Sequence, residues 1–206
     1  MPNLLTMKSF LDWALSNKIE LAGTVFGLIY IWFSVRQSLN TWPAGIITSV
    51  LYCYVFFCTR LYAGMALQFY YVFISCYGWW SWKHGANNDG EGDMLRVSNS
   101  PVVLWIRLLI LNTFLTALMY AILRKYTDST VPFGDALTTS LSIIATWMLA
   151  RKKLENWIIW IVADLISIGL YMYQALYFTV FLFLIYTLMA VIGYYEWQKE
   201  PVKVQC

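Results

Sequence analysis

Residues 155–174, ENWIIWIVADLISIGLYMYQ, set an aspartate, Asp164, near the middle of an apolar run with Trp157 and Trp160 ahead of it. Trp157, Trp160, Asp164, Ser167 and Tyr171 follow one another at helical spacing and so share one face of a helix. A second stripe, Gly64, Gln68, Tyr71, Ser75, Gly78 and Trp82, has the same spacing, and a third polar face runs through Thr48, Ser49 and Tyr52 behind Pro43. The chemistry on offer is recognition. A carboxylate with tryptophan faces suits a flat cation, each close cation-π contact adding on the order of 0.5–2 kcal/mol. The side-chain amides of Gln68 and Asn156 both donate and accept. His84 is the one histidine of the chain and lies in a loop, so neither a metal-ligand cluster nor a nucleophile with its base can be assembled around it.

The elements that must hold these stripes are set by composition. The 206 residues are 60% hydrophobic, 18% aromatic and only 12% charged, with mean hydropathy +0.60. Soluble domains average about a quarter charged residues. The apolar runs are about 20 residues long, enough to cross a roughly 30 Å hydrocarbon core as helix, and they lack the strict alternation of barrel strands. The expected fold is an all-α integral membrane protein with spans near 21–39, 42–59, 61–82, 101–123, 134–150, 157–175 and 177–197. Residues 1–19 are too polar to span and lack a signal-peptide pattern, so an interfacial amphipathic helix is expected there. The hydrophilic stretch 83–101 reads as a surface loop. Cys53, Cys58, Cys76 and Cys206 show no paired spacing, and the three within spans read as small buried hydrophobes rather than disulfides.

Lys8, Lys18, Arg60, Arg124 and Lys125 fall on one side of the membrane, and Arg36, Lys83, Arg96, Arg151, Lys152, Lys153, Lys199 and Lys203 on the other. Basic residues collect in cytoplasmic loops, which predicts the N-terminus outside and the C-terminus cytoplasmic.

Sliding the chain by 115 residues aligns 20–82 with 135–197 without a gap and gives 13 identities in 63 positions. Three are tryptophan pairs (Trp32/Trp147, Trp42/Trp157, Trp82/Trp197), and Arg36/Arg151, Tyr71/Tyr186 and Gly78/Gly193 are among the others. Two bundles of three spans face the same way only if a further helix lies between them, and 101–123 supplies it. The expected organisation is an interfacial segment 1–19, a first three-helix repeat 20–82, a loop and linker helix 83–134, a second repeat 135–197 and a tail 198–206, or 3+1+3 with parallel repeats. Such architectures place a ligand site near the bilayer midplane between the repeats. Ser49 corresponds to Asp164 and Gln68 to Phe183, so the strongest polar groups fall asymmetrically, as an asymmetric ligand requires.

The segments NTWPAGIITSVLYCYVFFCTRLYAGMALQFYYVFISCYGWWSW (40–82) and ENWIIWIVADLISIGLYMYQALYFTVFLFLIYTLMAVIGYYEW (155–197) resemble the Pnu family of bacterial vitamin transporters, in particular its nicotinamide riboside branch. W-P-x-G-I, L-Y-x-x-x-x-L-Q-x-x-Y with Y-G-W-x-x-W, and N-W-x-x-W-x-x-x-D carry the resemblance together. It implies a SWEET-like fold and facilitated diffusion of a vitamin across the bacterial inner membrane, with trapping by a cytoplasmic riboside kinase. No cofactor and no nucleic-acid partner is expected, and a homo-oligomer, first of all a trimer, is. Thiamine or another vitamin on the same scaffold is the alternative substrate, and a vitamin sensor without transport the alternative class. A retinal protein is excluded because 177–197 holds no Schiff-base lysine.

The candidate substrate-binding set is Gln68, Tyr71, Asn156, Trp157, Trp160 and Asp164, with Trp42, Tyr52 and Tyr186. An aspartate at the centre of a spanning helix costs roughly 2.5–3.5 kcal/mol, so Asp164 is expected to face the bundle or a watery cavity with a partner. The pyridinium of nicotinamide riboside would be that partner. The competing reading is a structural tie to a nearby Tyr or Ser. Trp157, Trp42 and Trp82 have a competing place in the interfacial aromatic belt or in packing. Gly78 and Gly193 are expected to allow close helix contact. Thr138, Thr139, Ser140 and Ser142 are expected to bond their own helix carbonyls.

Overall fold

The computed structural model describes residues 18–58, 62–85, 95–127, 130–174 and 177–199. The expectations for 1–17, for 86–94 of the loop and for 200–206 lie outside these residues, while Lys83 and His84, expected in the loop, instead form the last turn of the helix that begins at Tyr62. Within the described residues the chain forms seven helices: α1 (Lys18–Val35), α2 (Thr41–Cys58), α3 (Tyr62–His84), α4 (Val102–Tyr126), α5 (Pro132–Ala150), α6 (Asn156–Tyr173) and α7 (Tyr177–Gln198). Five of them (α2, α4, α5, α6 and α7 from Thr179) are long and apolar enough to cross a membrane by length and composition. Helix α1 has a shorter apolar stretch, Ala22–Val35. It stops short of the expected end at 39 because Gln37 turns the backbone left-handed, at φ 53°.

Helices α1–α2–α3 pack in sequence, as do α5–α6–α7, and α4 packs on α5 alone among the described elements. The two groups meet where α1 lies against α7 and α3 against α5. At the turns and in the tryptophan core, residues 115 positions apart make the same contacts. The α1–α2 turn has hydrogen bonds from Gln37 N to Ser34 O (3.1 Å) and from Ser38 N to Phe33 O (3.0 Å), and the α5–α6 turn repeats them from Lys152 N to Leu149 O (2.9 Å) and from Lys153 N to Met148 O (3.0 Å). Lys152, the counterpart of Gln37, is likewise left-handed at φ 48°.

Four tryptophans form the centre of the core at this end of the bundle. Trp42, Trp82, Trp157 and Trp197 are all nearly sealed from solvent. Trp42 meets Trp82 edge-on at 5.1 Å and Trp157 meets Trp197 edge-on at 5.5 Å, with Trp82 and Trp197 touching across the middle at 6.1 Å. Trp82 Nε1 donates to Leu149 O of α5 (3.2 Å), and Trp197 Nε1 donates to Ser34 O of α1 (3.1 Å). Each helix group thus donates one indole hydrogen bond to the other, at equivalent positions. Trp42 lies against Gly78, where an added Cβ would overlap its ring, and Trp157 lies against Gly193, where a Cβ would stand 2.7 Å from the indole. The two glycines are therefore notches for tryptophan, a specific form of the close contact expected of small residues.

A strap, 95–101, runs from the hydrophilic loop to α4 and is clasped to the second turn. Ser98 pairs with the 152–154 backbone, Ser100 donates to both Glu155 carboxylate oxygens (2.7 and 2.8 Å), and Lys153 Nζ donates to Ser98 Oγ (2.9 Å). Burial pushes the Lys153 ammonium below the ordinary lysine pKa, with Glu155 opposing. On α5, Ser140 departs from the expected local bonding: besides the Leu137 carbonyl it reaches Asn112 Oδ1 (2.9 Å) and Thr116 Oγ1 (2.7 Å), tying α4 to α5. Thr138 and Ser142 do bond carbonyls of their own helix. Cys58 and Cys76 are exposed rather than buried, because their positions fall on the outward helix faces, and Cys53 is half-buried.

Candidate functional site

Between the two helix groups lies a cavity of about 520 Å³. Its walls are the polar stripes. From α6 come Trp157, Trp160, Asp164, Ser167 and Tyr171, the whole spaced set; from α3 come Gln68, Tyr71 and Ser75; from α2 come Gly45, Thr48, Ser49, Tyr52 and Phe56. Helix α7 adds Tyr186 and Phe183. Of the nine candidate residues, Gln68, Tyr71, Trp157, Trp160, Asp164, Tyr52 and Tyr186 line this one space. Trp42 and Asn156 do not. Trp42 is turned into the tryptophan cluster by the Gly78 notch. Asn156 is fully buried at the start of α6, where its amide nitrogen donates to Lys153 O (2.6 Å) and steadies the α5–α6 turn. On α3 the stripe divides: Gly78 and Trp82 belong to the core, while Gln68, Tyr71 and Ser75 face the cavity.

Asp164 sits about midway along α6, only 4% exposed. No donor among the described residues reaches its carboxylate, so the competing reading, a structural tie to a nearby Tyr or Ser, finds no hydrogen bond there. A buried carboxylate is tolerated when something bonds to it, and the space in front of it is the cavity. Aromatic faces surround that space. Tyr171 and Phe183 are 5.2 Å apart, Phe183 and Tyr186 5.8 Å, and the Tyr52 hydroxyl is tied to Thr24 Oγ1 at 3.0 Å.

The cavity is closed at one end. Ser34, Leu149, Trp157 and Ala190 are all buried there, directly beneath the cross-linked tryptophans. From that end it extends toward the opposite ends of the helices, where Thr24, Phe56, Tyr171 and Thr179 line it.

Sequence reasoning missed the first helix of each group. Thr24, Gly27, Tyr30, Ile31 and Ser34 of α1, and Ser142, Thr146 and Leu149 of α5, also line the cavity. The signal was present as spacing, since Thr24, Gly27, Tyr30 and Ser34 step by three, three and four. It was masked by small residues and by a hydroxyl set that bonds carbonyls of its own helices.

A bundle of apolar helices around a polar and aromatic chamber is the architecture of a multi-pass membrane protein with a small-molecule site, and the family it matches makes that class a transporter. Residues 17–199 match the family model described as Nicotinamide mononucleotide transporter, and the chain belongs to that family. It is similar to the nicotinamide riboside transporter PnuC of Escherichia coli (strain K12), at 25% identity over 201 residues covering 87% of this chain and 84% of the relative. It is similar also to the riboflavin/roseoflavin transporter RibM of Streptomyces davaonensis, at 25% over 181 residues, 86% and 83% respectively. The crystal structure of the vitamin B3 transporter PnuC has the same fold, with TM-score 0.70 at 22% identity, covering 95% of this chain and 88% of that one. These relatives are transporters rather than enzymes.

Proposed function

We propose that this protein carries nicotinamide riboside into a bacterial cell by facilitated diffusion, and that a cytoplasmic riboside kinase traps the vitamin by phosphorylation. The observation that carries the substrate is Asp164: a buried carboxylate with no hydrogen-bond donor among the described residues, facing an aromatic-lined cavity of about 520 Å³. Nicotinamide riboside brings a fixed positive charge on a flat ring, hydroxyls for the ribose and an amide. Trp157, Trp160, Tyr71, Tyr52 and Tyr186 supply faces and hydroxyls, and Gln68 supplies an amide. In the same reading Trp42 and Asn156 act through packing and the turn rather than on the ligand.

The matched contacts 115 residues apart support a duplication, with repeats 20–82 and 135–197 joined through the linker helix in 3+1+3 order. The cavity closed at the tryptophan end supports alternating access. With the basic turns 36–40 and 151–155 on the cytoplasmic side, substrate enters from outside, and opening toward the cytoplasm requires the Trp82–Trp197 contact to part.

One observation favours a second substrate: a relative with similar coverage is a riboflavin/roseoflavin transporter. Riboflavin carries no cationic ring and leaves Asp164 without a counterion. Competition binding on the purified protein, with nicotinamide riboside, thiamine and riboflavin displacing labelled nicotinamide riboside, decides between them. Tightest binding by nicotinamide riboside is the expected result, and tightest binding by riboflavin would replace it as substrate.

A further inference from the structure

The aromatic lining does not follow the pairing that governs the rest of the core. Tyr30 of α1 lies over Gly45 of α2: an added Cβ at Gly45 would stand 3.0 and 3.1 Å from the Tyr30 ring and 3.1 Å from Ser75 Oγ. The positions 115 residues on are Ala145 of α5 and Trp160 of α6. Ala145 is fully buried, and Trp160 packs against the cluster that contains it. In each helix pair these two positions hold one large aromatic and one small residue, but the ring comes from the first helix in one group and from the second helix in the other. Two rings from equivalent positions would make equivalent walls. This exchange makes the walls unequal, with one ring from each group directed into the same cavity.

We infer that Tyr30 is a substrate-binding residue, and that Tyr30 and Gly45 together set the width of the slot that receives the planar ring of the ligand beside Trp160. This rests on the transport reading above. Asp164 is one helical turn from Trp160, so a ring lying against Trp160 brings its charge within reach of the carboxylate. Gly45 matters because the Tyr30 ring lies at contact distance above it and buried Ser75 borders the same spot. A methyl there displaces the ring by a few tenths of an ångström, and the space into which it can yield is the cavity.

The test is the ratio of nicotinamide riboside to riboflavin affinity, measured on the purified full chain by displacement of labelled nicotinamide riboside. Tyr30→Ala removes one wall: nicotinamide riboside weakens about tenfold, the three-ring flavin loses less, and the ratio falls. Tyr30→Phe keeps the ring and leaves the ratio within about twofold of the unmutated protein. Gly45→Ala narrows the slot, so the wider flavin loses more and the ratio rises. A ratio unchanged by both changes, or moved in the same direction by both, overturns the inference. Should Tyr30→Ala fail to fold, Gly45→Ala decides alone, and a ratio that stays or falls overturns it. Binding by the unmutated protein without uptake into liposomes would sink the transport reading while leaving the slot to be judged by the ratio. Binding of neither ligand sinks both.

Discussion

Replacing Asp164 with asparagine keeps the shape of the side chain and removes its charge. The carboxylate is 4% exposed and faces the cavity with no donor among the described residues, so a cationic ligand meets it as a close counterion. At about 4 Å with an effective dielectric near 20 the pair is worth about 4 kcal/mol, from which the desolvation of both charges subtracts. A net loss of about 2–3 kcal/mol, roughly 30- to 150-fold in affinity, is expected for a charge-assisted contact. Nicotinamide riboside and its reduced, uncharged form should be titrated in parallel against both proteins. The mutation should weaken the cationic form by that factor and the reduced form by at most a few-fold. The thermal midpoint should hold or rise, because an amide is easier to bury than an unpaired carboxylate. If the two ligands keep the affinity ratio of the unmutated protein, the counterion role is wrong, and Asp164 is a structural or gating group.

Gly78→Ala and Gly193→Ala should each lower stability by about 1–3 kcal/mol or more, because the new methyl overlaps Trp42 or Trp157 in a packed core; tryptophan emission during thermal unfolding reports it. Trp82→Phe and Trp197→Phe each remove one indole donor from equivalent carbonyls, so the two losses should be alike, about 1 kcal/mol each, by the same measurement. Gln68→Leu should weaken recognition of hydroxyl and amide groups while leaving the preference for a cationic ring, read from the same pair of ligands. A cysteine placed at the exposed Arg151 should be labelled by an impermeant reagent only from the cytoplasmic side, and labelling from outside would reverse the proposed topology.

The lengths of the apolar runs were enough to locate the seven helices of the described residues, because the bilayer thickness and the 1.5 Å rise leave little freedom. The α6 stripe was equally legible: in a helix meant for lipid, Asp164, Ser167 and two tryptophans on one face have few uses other than a cavity, and all of them line it. Boundary residues were harder. Trp42 and Trp157 are paired in the sequence alignment and both rest on a glycine, yet only Trp157 also borders the cavity. That difference depends on how the helix groups meet, which spacing along one chain does not encode. Asn156 has the chemistry of a ligand group, but its position at the first turn of α6 spends its amide on the Lys153 carbonyl. Tyr30 escaped notice because its partner is a glycine, and the meaning of Gly45 appears only when Tyr30 is seen above it. Cys58 and Cys76 were misplaced because a cysteine in an apolar helix looks the same from either face.

The central claim is that the cavity between the two helix groups is a carrier site for a cationic riboside. Uptake of radiolabelled nicotinamide riboside into liposomes holding the purified protein, without ATP or an imposed ion gradient, tests it most directly. The account predicts saturable uptake that stops at equal concentrations on both sides, speeds up when unlabelled nicotinamide riboside is preloaded inside, and drops sharply in Asp164→Asn at low substrate. Uptake no faster than in protein-free liposomes, or uptake of riboflavin but not of nicotinamide riboside, would contradict it.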